Sequence, residues 1–415
     1  MKITMLAVGS TGDVRPFLLL GRELTHRGHQ VTIASFSDFE ETVVQAGLTF
    51  YPLSGSAKRF IQSIMSPESG SLTYLPRLMK EMRSVVSSLI QDMDDSCRSA
   101  EAMICNFFGS VFYSIAEKYR IPCVQVLYFS VDPNRTMPIS SVNSQTLPGW
   151  MNRATYRIGY LLISMVEKHY LSSWRRENHL DLRHIRTGPD YRAGDRDALV
   201  IYALSPHVVP RPAEWGEEIH MSGFWMDENP PSWTPPEELV RFLETGEPPI
   251  YIGFGSMNSG DMSELMVMIR EAVQRAGLRA VIDLGWGGEE QTPSDDLFFT
   301  RYLPHDWLFP RVRAVVHHGG AGTTAAGLRY GKPTLVIPFS GDQPFWGYHV
   351  HRLDCGPEPL PREKVTADRL TASLRELVET PSYRDSAEKL SVLLQNEHGL
   401  TTAADLIEKE ITASR

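Results

Sequence analysis

Twice in this chain a short apolar run ends on a glycine-rich turn: "ITMLAVGSTGD" at residues 3–13 and "IYIGFGSM" at residues 250–257. A strand that turns through glycine into a helix is the building unit of a parallel sheet, because parallel neighbours need a crossover and the crossover is usually helical. The first opening continues with the helix-spaced "FLLLGRELTHRG", the strand "HQVTIAS", the short helix "DFEETVVQAG" and the strand "LTFYPL". Further on, "EAMICNF" and "CVQVLYF" flank the helical "SVFYSIAEKYR". The second opening is followed by four more strand-like runs, "RAVIDLG", "LFFTRYL", "AVVHHG" and "PTLVIPF". The pattern predicts two α/β halves, each a doubly wound parallel sheet, and 415 residues fit two domains at about 150 residues or more apiece.

Between the halves the composition changes to "WMDENPPSWTPPEELVRFLETGEPP", with prolines at 230, 231, 235, 236, 248 and 249 that exclude a packed sheet. The predicted division is residues 1–225, a linker at 226–247, and residues 248–415; the last helix, "AADLIEKEITA", is free to pack on either half. Residues 129–183 differ in character, with "PNRTMPISSVNSQTLPGW" ahead of the aromatic helix "TYRIGYLLISMVEKHYLSSWRR". Its apolar stripe reads as core or as a wall for a lipophilic ligand.

Composition narrows the partners. A formal charge of -9 excludes a broad basic surface for nucleic acid, so any phosphate must be held by local devices. Cys97, Cys105, Cys123 and Cys355 form no CxxC pair, which fits free thiols in a reducing compartment. The opening apolar run is too short for a secretory segment, and no stretch reaches the 18 apolar residues of a membrane span. A cytoplasmic protein is expected, monomeric or weakly dimeric, with weak membrane association left open.

The densest motif is "HHGGAGTT" at residues 317–324. Small residues after a buried strand let a phosphate approach the backbone, where the first amides of the next helix and its dipole favour an anion without any lysine. His318 supplies a ring donor, Thr323 or Thr324 caps the helix or bonds a phosphate oxygen, and His317, one residue earlier on the strand, is structural. Gly320, Gly322 and Ala325 also match G-x-G-x-x-A, so a nicotinamide oxidoreductase is an alternative, with Asp342 about twenty residues on. Against it, that fingerprint normally follows the first strand of its domain. A hydrolase oxyanion loop is excluded because no G-x-S-x-G elbow exists in the chain.

These segments resemble the UDP-dependent glycosyltransferases of the GT-B fold, in the branch of sterol glucosyltransferases and glycopeptide-antibiotic glycosyltransferases. "GSTGDVRPFLLLGREL" resembles the acceptor loop of that branch, "PHDWLFPRVRAVVHHGGAGTTAAGLRYGKPTLVIPFSGDQPFWG" its donor-binding signature, and "LSSWRRENHLDL" also fits. The resemblance implies two Rossmann-like domains facing across a cleft, the first binding acceptor and the second nucleotide sugar. It implies that Ser256, His318, Gly320, Gly322 and Thr323 bind the donor diphosphate and that Asp342 and Gln343 bind the sugar. Tyr302 takes the place of a base-stacking tryptophan, with Leu303, His305 and Trp286 as further nucleobase candidates. Ser10, Thr11 and Gly12 form the acceptor loop, and Asp13 stands where many relatives carry a histidine base.

The implied reaction is inverting transfer of a sugar, glucose from UDP-glucose, to a hydroxyl of a lipophilic acceptor such as a sterol, polyketide or flavonoid-like aglycone; a dTDP-sugar is the other donor. Asp13 would take the proton, with a helix N-cap as its alternative or additional role. No cofactor is implied, since the UDP-sugar is a co-substrate. Two D-x-D triplets, at 92–94 and 195–197, are read as chance matches, so no metal is expected. A non-catalytic lipid-binding relative is a further alternative; joint retention of Asp13, His318 and Asp342 argues against it.

Overall fold

The computed structural model describes residues 1–57, 86–106, 110–139, 147–185, 191–227, 233–255, 262–285, 292–301 and 303–413. The chain divides into two compact units: Met1–Leu204, Arg211–Trp225 and His398–Arg415 form the first, Ser205–Pro210 and Met226–Glu397 the second.

The first unit runs β1 (Lys2–Leu6), α1 (Thr11–His26), β2 (Gln30–Phe36), α2 (Glu40–Gln45), β3 (Thr49–Leu53), β4 (Ala102–Cys105), α3 (Ser110–Tyr119), β5 (Cys123–Leu127) and α4 (Gly149–Glu177). A two-residue hairpin follows, β6 (Arg192–Ala193) against β7 (Arg196–Asp197), then β8 (Leu199–Tyr202) and β9 (Ile219–Met221). Seven strands make one parallel sheet in the order β3-β2-β1-β4-β5-β8-β9. Every residue of β4, β5 and β8 is buried, as expected where helices cover both faces of a parallel sheet. The sequence pattern missed β8 and β9: the first lies in a plain apolar run, and the second is three residues long.

Helix α4 splits the expected stripe between two environments. Tyr156, Leu171 and Trp174 point into the protein, while Trp150, Ile158, Leu161 and Met165 are exposed. Arg175, fully buried, donates to Ser114 Oγ (2.6 Å), Glu117 Oε2 (2.7 Å) and the Asp181 carbonyl (2.6 Å). Glu117 also meets His184 Nδ1 at 2.8 Å, so the "WRRENHLDL" stretch is a scaffold joint. Glu167 reaches from α4 to the Ser110 N–H (2.9 Å) and hydroxyl (2.6 Å), capping α3 from outside.

The second unit runs α5 (Glu237–Glu244), β10 (Ile250–Gly253), α6 (Met262–Ala276), β11 (Ala280–Asp283), β12 (Leu297–Thr300), α7 (His305–Leu308), β13 (Ala314–His317), α8 (Ala321–Arg329), β14 (Thr334–Val336), α9 (Gln343–Arg352), α10 (Ala367–Glu379) and α11 (Pro381–Gln395). Its five strands are the five expected, all parallel, in the order β12-β11-β10-β13-β14. The final helix, α12 (Gly399–Ala413), belongs to the first unit. Its Ala403, Ala404, Ile407 and Ile411 enter that core, and Arg27 pairs with Asp405 (2.6 Å) and Glu408 (2.9 Å). Among the described residues no helix is long and apolar enough to cross a membrane.

Candidate functional site

In the second sheet the chain steps outward from β10 through β11 to β12, then returns to β13 on the other side of β10. Ligands of open parallel sheets bind beyond the carboxyl ends of the strands at such a reversal. The residues just past β10 and β13 meet there. His318 follows β13, and a Cβ built on Gly255, just beyond β10, would stand 3.3 Å from its Cε1. A Cβ on Gly320 would stand 2.6 Å from His318 Nε2, so glycine at 320 makes room for the imidazole. Gly319 has a different reason: its φ of +93° suits only glycine, and its N–H donates to His317 Nδ1 at 2.9 Å. His317, completely buried, therefore braces the turn. The two imidazoles lie 6.1 Å apart at 85°.

Gly322 answers to neither reason. A Cβ there meets nothing within 4 Å, and the residue is exposed in the first turn of α8. The helix begins at Gly320 without a side-chain cap, and its first backbone bond runs from Thr324 N–H to Gly320 O at 2.9 Å. The N–H groups of Ala321, Gly322 and Thr323 precede that bond, so the helix does not satisfy them itself. The buried Thr324 hydroxyl donates to Gly320 O at 2.9 Å, and the half-buried Thr323 is the threonine at the open turn.

Burial depresses the His318 pKa to about 4, against an opposing backbone hydrogen bond with Gly253, and among the described residues its Nδ1 has no partner. The ring is neutral near pH 7, with one buried nitrogen unsatisfied. Burial and its two histidine neighbours, His318 and His305, hold His317 well below the usual range.

The remaining donor-side candidates are spread around this point. Asp342 is the first residue ahead of α9 and accepts from Trp346 Nε1 at 3.0 Å. Gln343 Oε1 accepts from the Phe339 N–H (2.7 Å) and Ser340 N–H (3.1 Å), pinning the loop after β14. His305 stacks on Phe309 at 4.5 Å and meets the Tyr251 hydroxyl at 3.4 Å; that hydroxyl also donates to Asp283 at 3.3 Å. Burial raises the Asp283 carboxyl, opposed by bonds from Gly285 and Tyr251. Leu303 is a core side chain packed with Tyr251 and Phe309, which leaves only its backbone for a ligand. Ser256, Trp286 and Tyr302 lie outside the described residues.

The first sheet has its own reversal, between β1 and β4. Asp13 lies in the loop-to-helix turn after β1, and the helix cap differs from the expected one. Ser10, not Asp13, is the N-cap, accepting from the Gly12 N–H at 3.1 Å. Asp13 is the third helical residue and reaches back, its Oδ2 accepting from the Ser10 N–H (2.7 Å) and hydroxyl (3.0 Å) to complete a capping box. Thr11 and Gly12 are exposed first-turn residues, and Pro16 lies inside the helix instead of opening it. A Cβ at Gly9, φ +144°, would fall 2.2 Å from Asp13 Oδ2, so glycine clears the carboxylate's seat.

Among the described residues the other oxygen, Oδ1, receives one long bond, 3.4 Å from Nδ2 of Asn106, the residue after β4. Tyr128, after β5, has a buried hydroxyl without a partner among the described residues and a phenol pushed well up by burial and by Asp13. Burial raises Asp13 itself, opposed by its bonds to Ser10 and Asn106. Sequence reasoning missed Asn106 and Tyr128; the polar residue closing the apolar "AMIC" run was the available signal. Of the D-x-D carboxylates, Asp92 accepts from the Ser54 N–H (2.6 Å), Asp94 pairs with Lys118 (2.5 Å) and Asp197 with Arg192 (3.0 Å). Among the described residues no group of three or more His, Cys, Asp or Glu is placed to hold a metal ion.

Residues 3–138 match the glycosyltransferase family 28 N-terminal domain, and residues 289–398 the C-terminal domain of erythromycin biosynthesis protein CIII-like proteins. Two sterol 3-beta-glucosyltransferases of Arabidopsis thaliana are similar along the chain. One is 34% identical over 427 residues, covering 100% of this chain and 66% of the relative. The other is 31% identical over 430 residues, covering 99% and 68%. The chain thus spans about two thirds of their length. The crystal structure of the glycosyltransferase of kitacinnamycin superimposes with a TM-score of 0.70 at 20% identity, covering 99% of this chain and 98% of that one. Similarity along the whole of this chain, two parallel sheets and glycine turns at both reversals agree: this chain belongs to the GT-B glycosyltransferases, among relatives that include the plant sterol 3-beta-glucosyltransferases.

Proposed function

We propose that the protein transfers glucose from UDP-glucose to the hydroxyl of a sterol-like lipophilic acceptor, with inversion at the anomeric carbon. The observation that carries this reading is the uncapped first turn of α8 beside a neutral imidazole whose Nδ1 has no partner among the described residues, at the reversal of the second sheet. Three amides, the positive end of a helix dipole and one ring nitrogen suit a diphosphate in a chain of net charge -9. The G-x-G-x-x-A alternative loses support because the motif follows the fourth strand of its unit in chain order, not the first.

In the proposed reaction the acceptor O–H gives its proton to Asp13 Oδ1 as its oxygen forms the bond to the anomeric carbon. The bond from that carbon to the diphosphate breaks on the opposite face, and UDP leaves with the electron pair. Charge developing on the leaving oxygens is met by the α8 amides, donors already in place before the reaction, and by His318 in the tautomer or protonated form that turns an N–H toward them. Asp13 Oδ2 is committed to Ser10, which leaves Oδ1 to receive the proton. The raised Asp13 pKa makes it a better base than an exposed aspartate.

The test is mass spectrometry of products from UDP-glucose and a panel of sterols, polyketides and flavonoids, beside dTDP-glucose as competing donor. A sterol monoglucoside formed from UDP-glucose supports the proposal. Transfer to the other aglycones alone would reassign the acceptor, and failure to bind either nucleotide sugar would end the donor reading.

A further inference from the structure

We infer that Asn106 is the positioning residue of the Asp13 carboxylate: its amide fixes Oδ1 as the oxygen that receives the acceptor's proton. This rests on the reading of Asp13 as the base. Asn106 follows β4 and Asp13 follows β1, adjacent parallel strands at the reversal of the first sheet, so the pair is brought together by topology across 93 positions. Asn106 is itself held. Its Nδ2 donates to the Val8 carbonyl at 2.7 Å and its Oδ1 faces the Val8 N–H at 3.5 Å, so the backbone leaving β1 dictates which way the amide points. The side chain is buried at 1% exposure, and nothing else holds its orientation among the bonds described.

The residue type matters as much as the place. Among the described residues, Asp13 Oδ2 accepts two bonds of 3.0 Å or less, whereas Oδ1 accepts the 3.4 Å bond from Asn106. A bond that long orients the carboxylate while leaving a lone pair of Oδ1 available. A lysine or arginine in this place would hold the carboxylate more tightly and weaken it as a base; a second carboxylate would repel it. A neutral amide aims Asp13 with the smallest loss of basicity. Among the described residues no cation acts on Asp13; the groups around it are Ser10, Asn106 and the neutral Tyr128 phenol.

The experiment is the pH profile of kcat and kcat/KM for Asn106→Asp and Asn106→Ala, with Asp13→Asn in parallel and UDP-glucose binding as the folding control. Asp13 works ionised, so activity falls as pH drops through its pKa. Removing the amide raises that pKa, and a neighbouring carboxylate raises it further. The acid limb should move up in both variants, by about one pH unit or more in Asn106→Asp, while plateau kcat drops roughly tenfold or more and donor affinity stays unchanged. Should these fail to fold, Asn106→Ser keeps a small hydroxyl donor and is read by the same two quantities. A folded variant with the parent acid limb and plateau kcat overturns the inference. So does a lower kcat with an unmoved limb, the mark of a purely structural role. If Asp13→Asn is itself active, the base reading fails first; if it is inactive while the Asn106 variants behave as parent, only the role of Asn106 falls.

Discussion

Gly322→Ala separates what the fold needs from what a ligand needs. Gly322 is exposed in the first turn of α8, and an added Cβ meets no atom within 4 Å. Replacing glycine in a helix by alanine gains up to about 1 kcal/mol, less near the end. For a unit of this size that raises the melting temperature by roughly 2–4 °C per kcal/mol. The fold therefore gives no reason for glycine here. A diphosphate resting on the amides of Ala321, Gly322 and Thr323 would give one, because a methyl group holds it off the backbone. Losing one charge-assisted bond costs about 1.5–3 kcal/mol, or roughly 10- to 150-fold in affinity. Calorimetric titration with UDP-glucose and thermal denaturation of the same samples give both numbers. The reasoning predicts an equal or higher melting temperature with weaker donor binding. A variant that binds UDP-glucose as tightly as the parent would remove the α8 turn from the diphosphate site.

Asp13→Asn should keep UDP-glucose binding and lose roughly 10²- to 10⁴-fold in kcat, measured by initial rates at saturating donor. Arg175→Ala should destabilise the protein by about 3 kcal/mol, because it leaves Glu117, largely buried in the first unit, with His184 as its remaining ion-pair partner; denaturant unfolding checks this, and the acid limb of activity should stay in place. The second unit should weaken in acid. Burial depresses His317 strongly, His318 to about 4 and His349 to about 3, so the unfolded state, with histidine near 6.5, binds more protons than the folded one. Stability then rises with pH across the window from about 4 to 6.5, by about 1 kcal/mol per unit for each buried histidine. Asp283, with its raised carboxyl, offsets part of this at the acid end. Thermal melts from pH 7.5 to 5 would test the sign, and a flat profile would refute it. Transfer should proceed undiminished in a chelator, whereas strict dependence on manganese would contradict a diphosphate held by amides and imidazole.

Much of the architecture was legible because parallel strands covered on both sides are written as uninterrupted apolar runs, and glycine marks where they end. β9 escaped because three residues carry no period. The donor side was readable for a related reason: His318, Gly319, Gly320 and the first turn of α8 are neighbours in the chain, so their chemistry is local. Even there, the separate reasons for each glycine needed the structure, one being a positive φ and one the imidazole's seat. Asp13 as partner of a Ser10 cap was also legible from the S-x-x-D spacing, yet the cap was assigned to the wrong residue. The polar residue closing the "AMIC" run marked Asn106, but its meeting with Asp13 was not legible, because that depends on β1 pairing with β4. At Leu303 the place beside the signature is local, but tertiary packing decides that its side chain faces the core.

The central claim is that backbone amides and one imidazole grip the donor diphosphate, and a crystal structure with UDP bound tests it most directly. The account predicts phosphate oxygens about 3 Å from the N–H groups of Gly322 and Thr323 and within hydrogen-bonding reach of the His318 ring. A diphosphate resting elsewhere, with the first turn of α8 and His318 untouched, would contradict it.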